Sequence, residues 1–145
     1  AREAFMQECS EIIKKQGGAL LFIDYGYVQP AFGESFQSLQ HHKFVDVLHE
    51  PGECDLTSHV DFFTLKEVME EEGLDVYGAV TQGEFLNRLG LQIRADRLKS
   101  NATPDEARGI DLAFHRLSGA REMGQLFKVI AGVSHGTPPP EGFND

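Results

Sequence analysis

Ala19-Leu20-Leu21-Phe22-Ile23, followed by Asp24-Tyr25-Gly26-Tyr27, is the stretch that decides the fold. Five consecutive apolar residues without polar alternation fit a strand buried on both faces, as in the sheet of an α/β protein. The acid and glycine that end the run stand at the carboxyl edge of that strand, where open α/β sheets bind ligands. Upstream, Phe5, Met6, Cys9, Ile12 and Ile13 fall on one helical face, and Lys14, Lys15 and Gly17 supply a cationic last turn and a C-cap. The chain therefore opens with a helix running straight into a strand. It starts at Ala1, inside the helical pattern and without Met, as expected of a piece of a longer polypeptide.

Downstream, residues 28–54 show poor periodicity, with Pro30, Gly33 and Pro51-Gly52 as turn signals, and read as a cap or insertion. Asp61 is placed to N-cap a helix whose apolar face is Phe62, Leu65, Val68 and Met69, closed by Gly73. A short strand follows over Val76–Val80. Thr81-Gln82-Gly83-Glu84 has capping-box spacing ahead of Phe85, Leu86 and Leu89, with Gly90 as the stop. Thr103-Pro104-Asp105-Glu106 repeats the device ahead of Ile110, Ala113, Phe114 and Leu117. A last strand is expected over Leu126–Ala131, and the tail with Pro138-Pro139-Pro140 is expected to be extended and peripheral.

Length and composition narrow the classes. A chain of 145 residues, 41% apolar, is one domain's worth with a real core. A formal net charge of −10 argues against nucleic acid as the main partner, because phosphate binding needs surplus Lys and Arg. Cys9 and Cys54 are too few for a disulfide framework and form no Cys-x-x-Cys pair, which fits a reducing compartment. No apolar run reaches the roughly 20 residues of a membrane span.

Six blocks in order carry a family resemblance: Gly18–Gly26; His42-Lys43 leading to Asp46–Leu48; Pro51-Gly52; Asp55–Phe62; Gln82–Leu86 with Leu89-Gly90; and Met123–Lys128. Together they resemble the MidA family of S-adenosylmethionine-dependent methyltransferases, which includes the mitochondrial complex I assembly methyltransferase. The resemblance covers nearly all of this chain but only the C-terminal part of the family's length. It implies the C-terminal part of a Rossmann-like class I methyltransferase sheet with an inserted, mostly helical substrate-side cap. Residues 1–27 and about 120–133 would form the sheet core, about 28–118 the insertion, cap and connecting helices, and 134–145 the tail.

Methyltransferases of this fold hold the cofactor with a glycine-rich loop after their first strand, since only glycines let backbone N–H groups at a helix N-terminus approach an anion closely. No Gly-x-Gly occurs in this chain. The resemblance thus places S-adenosyl-L-methionine on a missing N-terminal segment, the first expected partner. The second is a protein substrate methylated on arginine, a respiratory complex I subunit or its equivalent. The implied compartment is the bacterial cytoplasm or, in a eukaryote, the mitochondrial matrix.

Methyl transfer from a sulfonium is an in-line displacement, which requires a held nucleophile and a timely proton acceptor. Asp24, at the strand end, is the first catalytic candidate, though an acid there also caps turns. His59 and Asp61, two apart in extended chain, share a face, so that the acid could orient the imidazole. Asp61 is at the same time a good N-cap. Asp55 and Thr57 precede them with the same parity and extend one wall; Tyr25, His42 and Gln82 complete the substrate-binding candidates, with packing, loop and capping as their plainer readings. Cys54, between Glu53 and Asp55, has its thiolate disfavoured. Two other functions compete: a non-catalytic interaction module that keeps the fold, and a metal-dependent hydrolase using His42, His59 and Asp61, whose spacing matches no tight ligand pair.

Overall fold

The computed structural model of the chain describes residues 1–30, 33 and 35–144. Helix α1 (Arg2–Gln16) ends at Gly17, whose positive φ of 75° turns the chain while its N–H returns to the Ile13 carbonyl. The chain then enters strand β1 (Ala19–Tyr27). Over Ala19–Tyr25, β1 pairs antiparallel with the last strand, β7 (Phe127–Val133), and β7 pairs antiparallel on its other side with β6 (Asp75–Thr81). At its carboxyl end β1 pairs parallel with the two-residue strand β5 (Val60–Asp61), Gly26 beside Val60 and Tyr27 beside Asp61. The sheet order is β5-β1-β7-β6, so the first and last strands are neighbours in one mixed sheet, as expected. Gly26 is required there: a Cβ would lie 2.1 Å from the Val60 carbonyl oxygen.

Helix α2 (Phe62–Glu71) starts directly from β5 and packs with α1 on one face of the sheet. Asp61 caps it as expected, accepting from the Thr64 amide at 3.1 Å and the Thr64 hydroxyl at 3.0 Å. Met6, Ile13, Phe62, Leu65, Val68, Met69, Leu74 and Ile130 form the core, joined by Leu20 and Phe22 from β1. Each such side chain contributes roughly 1.5–3 kcal/mol by leaving water. The apolar face expected of α1 divides: Met6, Ser10 and Ile13 are buried, whereas Phe5 and Ile12 stay more than half exposed. Leu21 and Ile23 of β1 are about half exposed too, and among the described residues nothing pairs with the second edge of β1 from Ala19 to Tyr25.

Helices α3 (Gln82–Arg88), α4 (Leu91–Lys99), α5 (Pro104–Ser118) and α6 (Met123–Leu126) fill the path from β6 to β7. Both expected capping boxes are present, at Thr81–Glu84 and Thr103–Glu106, with Pro104 in the first turn of α5. Helix α4 was not expected, because Gly90 read as a stop; in its left-handed conformation it ends one helix and starts the next. The tail is anchored, not peripheral. Phe143 stacks on Phe85 with ring centroids 5.2 Å apart, and Gly142 is buried where a Cβ would come within 2.5 Å of the Phe85 ring.

The expected, mostly helical insertion and cap are drawn differently. Helix α2 belongs to the core, and the segment after β1 contributes a second, antiparallel sheet of β2 (Gln37–Gln40), β3 (Lys43–Val45) and β4 (Asp55–Thr57), in the order β3-β2-β4. Among the described residues the strands pair only with one another, and the chain returns to the main sheet through Ser58 and His59. This arm went unforeseen because strands of three or four residues carry too little alternation to be read.

Candidate functional site

At the carboxyl end of β1 lies a groove of about 420 Å³ between α1, β1, β5 and α2, which Asp24 alone of the predicted residues lines. Its walls are apolar, from Phe5, Met6, Phe22, Phe62 and Leu65, and its polar groups are Asp24 and Arg2. Asp24 is exposed, and one of its oxygens accepts from the Tyr25 amide at 2.8 Å. Lys128 lies directly across β7 from Asp24, yet its ammonium turns to the Gln125 and Leu126 carbonyls at the end of α6, and burial lowers its pKa. Among the described residues no cation pairs with Asp24, which leaves a carboxylate at the sheet edge with capacity for an incoming one.

Tyr25 alternates with Asp24 and so presents its ring to the other face of β1. There it meets His59 edge-on, centroids 5.5 Å apart, and Phe127 at 5.7 Å. Asp24 and the Tyr25–His59 pair thus stand on opposite faces of the sheet at the same strand end, and no single wall holds both. The His59–Asp61 pairing expected from their spacing is not formed either. Asp61 turns its carboxylate onto the first turn of α2 and towards Tyr27, beside it in register. Burial, and then this carboxylate, hold the Tyr27 phenol above its ordinary pKa, so that it remains a donor. Asp55 and Thr57 lie in the arm, separated from β5 by the break at Ser58-His59, which ends the continuous parity the sequence suggested.

His42 is at the tip of the β2–β3 hairpin, exposed and in a left-handed conformation with φ 61°. Gln82 is buried, and its amide donates at 2.7 Å to the Leu117 carbonyl near the end of α5. Its observed work is to tie α3 to α5, while capping falls to Thr81 and Glu84. Among the described residues no three His, Cys, Asp or Glu side chains gather as a metal site, so the hydrolase alternative finds no ligand cluster. Two residues were missed. Arg2 donates to the His59 carbonyl at 2.9 Å and to the Ser58 hydroxyl, fastening α1 to the strand bearing the site. The other is Tyr27, beside Asp61 in register. A basic residue in the first turn of a helix opposes the macrodipole, and that was the available signal for Arg2.

S-adenosylmethionine needs free backbone donors at a helix N-terminus after a strand. Both such junctions here are closed by their own side chains, Asp61 over α2 and the Thr81–Glu84 box over α3. Gly83 offers no opening, since a Cβ there would sit 2.8 Å from the Ser118 carbonyl oxygen. The cofactor does not fit these junctions.

A mixed sheet with an acid at the carboxyl end of its strand β1 is the arrangement of α/β ligand-binding proteins. Comparison with known proteins gives it a family. The model of the family described as "Putative S-adenosyl-L-methionine-dependent methyltransferase" matches residues 1–80, and the chain belongs to this family. It is 36% identical over 84% of its length to the protein arginine methyltransferase NDUFAF7 homolog of Drosophila melanogaster, and 34% identical over 96% to the Xenopus tropicalis NDUFAF7, both named as mitochondrial. It covers 28% and 33% of those relatives' lengths. All of this chain superposes on 37% of a Burkholderia thailandensis crystal structure bound to S-adenosyl-homocysteine, with a TM-score of 0.77 and 28% identity.

Proposed function

We propose that this chain forms the substrate-side part of an S-adenosylmethionine-dependent methyltransferase that modifies arginine on a protein. The observation that carries the proposal is the 34% identity, across 96% of the chain, to a protein named for that activity. The cofactor is assigned to the region the relatives carry beyond this chain, docked along the free edge of β1 and over Phe5, Ile12, Leu21 and Ile23. An added strand there would satisfy the open N–H and C=O groups and cover the apolar flank. A respiratory complex I subunit, or its equivalent, is the substrate the family resemblance points to. The compartment follows the host: the mitochondrial matrix in a eukaryote, the cytoplasm in a bacterium.

A guanidinium is protonated at neutral pH, so its methylation calls for a carboxylate to hold the planar cation and a group to take the proton as the new bond forms. Asp24 is assigned the first task; His59, on the opposite face of the sheet, does not share its wall, and the proton acceptor is assigned to the region the relatives carry beyond this chain. Asp61 positions the segment through α2 and Tyr27, and Tyr25 supports the His59 ring. Asp55, Thr57 and His42, on the arm, are assigned to the substrate beyond the reacting residue. Methyl transfer from labelled cofactor by the full-length polypeptide, followed by residue mapping on the modified protein, tests the proposal. Label found only on lysine, carboxylate or a small molecule would remove arginine as the target. The self-capped junctions favour one rival, a non-catalytic interaction module; cofactor binding by the full-length polypeptide would dispose of it.

A further inference from the structure

Among the open apolar surfaces of the described residues, the flank of the main sheet and the arm differ in charge. The flank of β1 and α1 shows Phe5, Ile12, Leu21 and Ile23 beside an uncharged strand segment, Ala19–Ile23. The arm shows Phe44 at 73% exposure, and it carries four carboxylates, Asp46, Glu50, Glu53 and Asp55, against one lysine, Lys43. The register fixes the geometry. Phe44 lies opposite Leu39, and Leu39 lies opposite Asp55, so all three share one face, with Phe44 and Asp55 two strand spacings, about 10 Å, apart. Among the described residues Asp55 has no cation partner.

We propose that this face of the arm is a docking surface for a basic, arginine-bearing segment of the protein substrate, outside the residue that reacts. The inference rests on the arginine reading above and adds to it where the rest of the substrate lies. Charge complementarity selects the occupant. A cationic side chain laid over the open Phe44 ring gains a cation–π contact, a second pairs with Asp55, and Leu39 between them receives the aliphatic stems. An apolar flank without charge suits a permanent intramolecular neighbour; an aromatic residue within an acidic surface suits a partner that arrives, is held and leaves. The arm leads through Ser58 into His59, so a segment held here is tethered one short connection from the strand end that carries Asp24 and Tyr25.

The test uses the full-length polypeptide and a fluorescein-labelled peptide of repeating Arg-Leu-Gly units, with a Glu-Leu-Gly counterpart as control, read by fluorescence anisotropy. The arginine peptide should bind and the glutamate peptide should not, and binding should weaken as salt rises. Phe44→Ala with Asp55→Asn should weaken binding by about ten-fold or more, and Phe44→Trp should restore the aromatic share of it. Thermal melting of each variant confirms that it folds. Equal binding of both peptides, or unchanged binding by the double variant, overturns the proposal. So does loss of association between this chain and a separately expressed preceding segment on Phe44→Ala, which would give the arm to that segment. Arm-dependent peptide binding with methyl label on residues other than arginine would leave the docking surface standing and remove the arginine reading; arginine methylation with an unchanged KM in the double variant would do the reverse.

Discussion

The main sheet and the arm are built from the same kind of antiparallel pairing and finish it in opposite ways. In the main sheet, Val129, Ile130, Ala131 and Val133 of β7 are at most 1% exposed, held between β1 and β6 beneath α1 and α2. Among the described residues of the arm only Ser38 is buried, while Phe44 and Leu56 stand in solvent. Three short strands cannot enclose a core, so the arm owes its order to hairpin pairing and local bonds such as Gln40 to Glu50 at 2.7 Å. Stability lies in one region and available surface in the other.

The sharpest way to break this comparison is to truncate one aromatic residue in each region. Phe62, 1% exposed under the sheet, should cost about 3–5 kcal/mol as Phe62→Ala, from lost transfer energy and the cavity left behind. Phe44→Ala should stay within about 0.5 kcal/mol, as for exposed sites. Urea unfolding of both variants, with the slope compared, decides it. A Phe44→Ala cost approaching that of Phe62→Ala would mean that the arm is part of the folding core.

Next in size is a change that should leave stability alone. Asp24→Asn, at an exposed position whose carboxylate, among the described residues, accepts from its neighbour's amide, should lower turnover of the full-length polypeptide by about a hundred-fold, the range for losing a positioned polar group. Melting temperature and cofactor affinity should hold. Wild-type turnover in this variant would remove Asp24 from the site.

A smaller effect separates two readings of Asp61. As the cap of α2, Asp61→Ala should cost about 1–2 kcal/mol, and Asp61→Asn, which still accepts from Thr64, only a few tenths. If Asp61→Asn keeps its stability but loses turnover, Asp61 does more than position the segment. Equal losses in both, by thermal and kinetic measurement, would return it to a purely structural part.

What could be read in advance follows the length of the signal. The α2 face Phe62, Leu65, Val68 and Met69 and the two Thr-to-Glu capping boxes are local patterns with local causes, and each is found as expected; the run Ala19–Ile23 is found as a strand, but Leu21 and Ile23 are about half exposed rather than buried. Helix α6, with four residues, and the arm depend on tertiary pairing that no window contains. The site was legible as an address, the carboxyl end of β1, and less so as a geometry. His59 and Asp61 share parity only while the strand continues, and the strand yields to a helix at Phe62. Gln82 carried a helix-start signal, but its partner, the Leu117 carbonyl, is 35 residues away.

The smallest expected effect concerns the tail, where the main sheet meets a segment that also read as peripheral. His135 Nδ1 lies 2.9 Å from one oxygen of Asp75, at the start of β6, and the Gly136 amide donates to the other at 2.9 Å. The hydrogen bond to Asp75, and then its charge, raise the His135 pKa; the bonds from His135 and Gly136 lower that of Asp75. A raised histidine pKa stabilises fully below its ordinary value of about 6.5 and loses that contribution as pH rises through the folded value. A lowered aspartate pKa stabilises above its ordinary value of about 3.9 and loses that contribution as pH falls through the folded value. The charge-assisted pairing is therefore complete between about pH 4 and pH 6.5 and loses its charge as pH rises through the raised His135 value, while the Gly136 bond to Asp75 persists. The His135 ring is so open to water that global stability should barely register the change. An NMR titration should place the His135 midpoint above about 6.5 and Asp75→Asn should return it there, with faster Gly136 amide exchange and no change at Ile130. An unshifted midpoint in the wild-type chain would show that the tail is held by Phe143 against Phe85 alone.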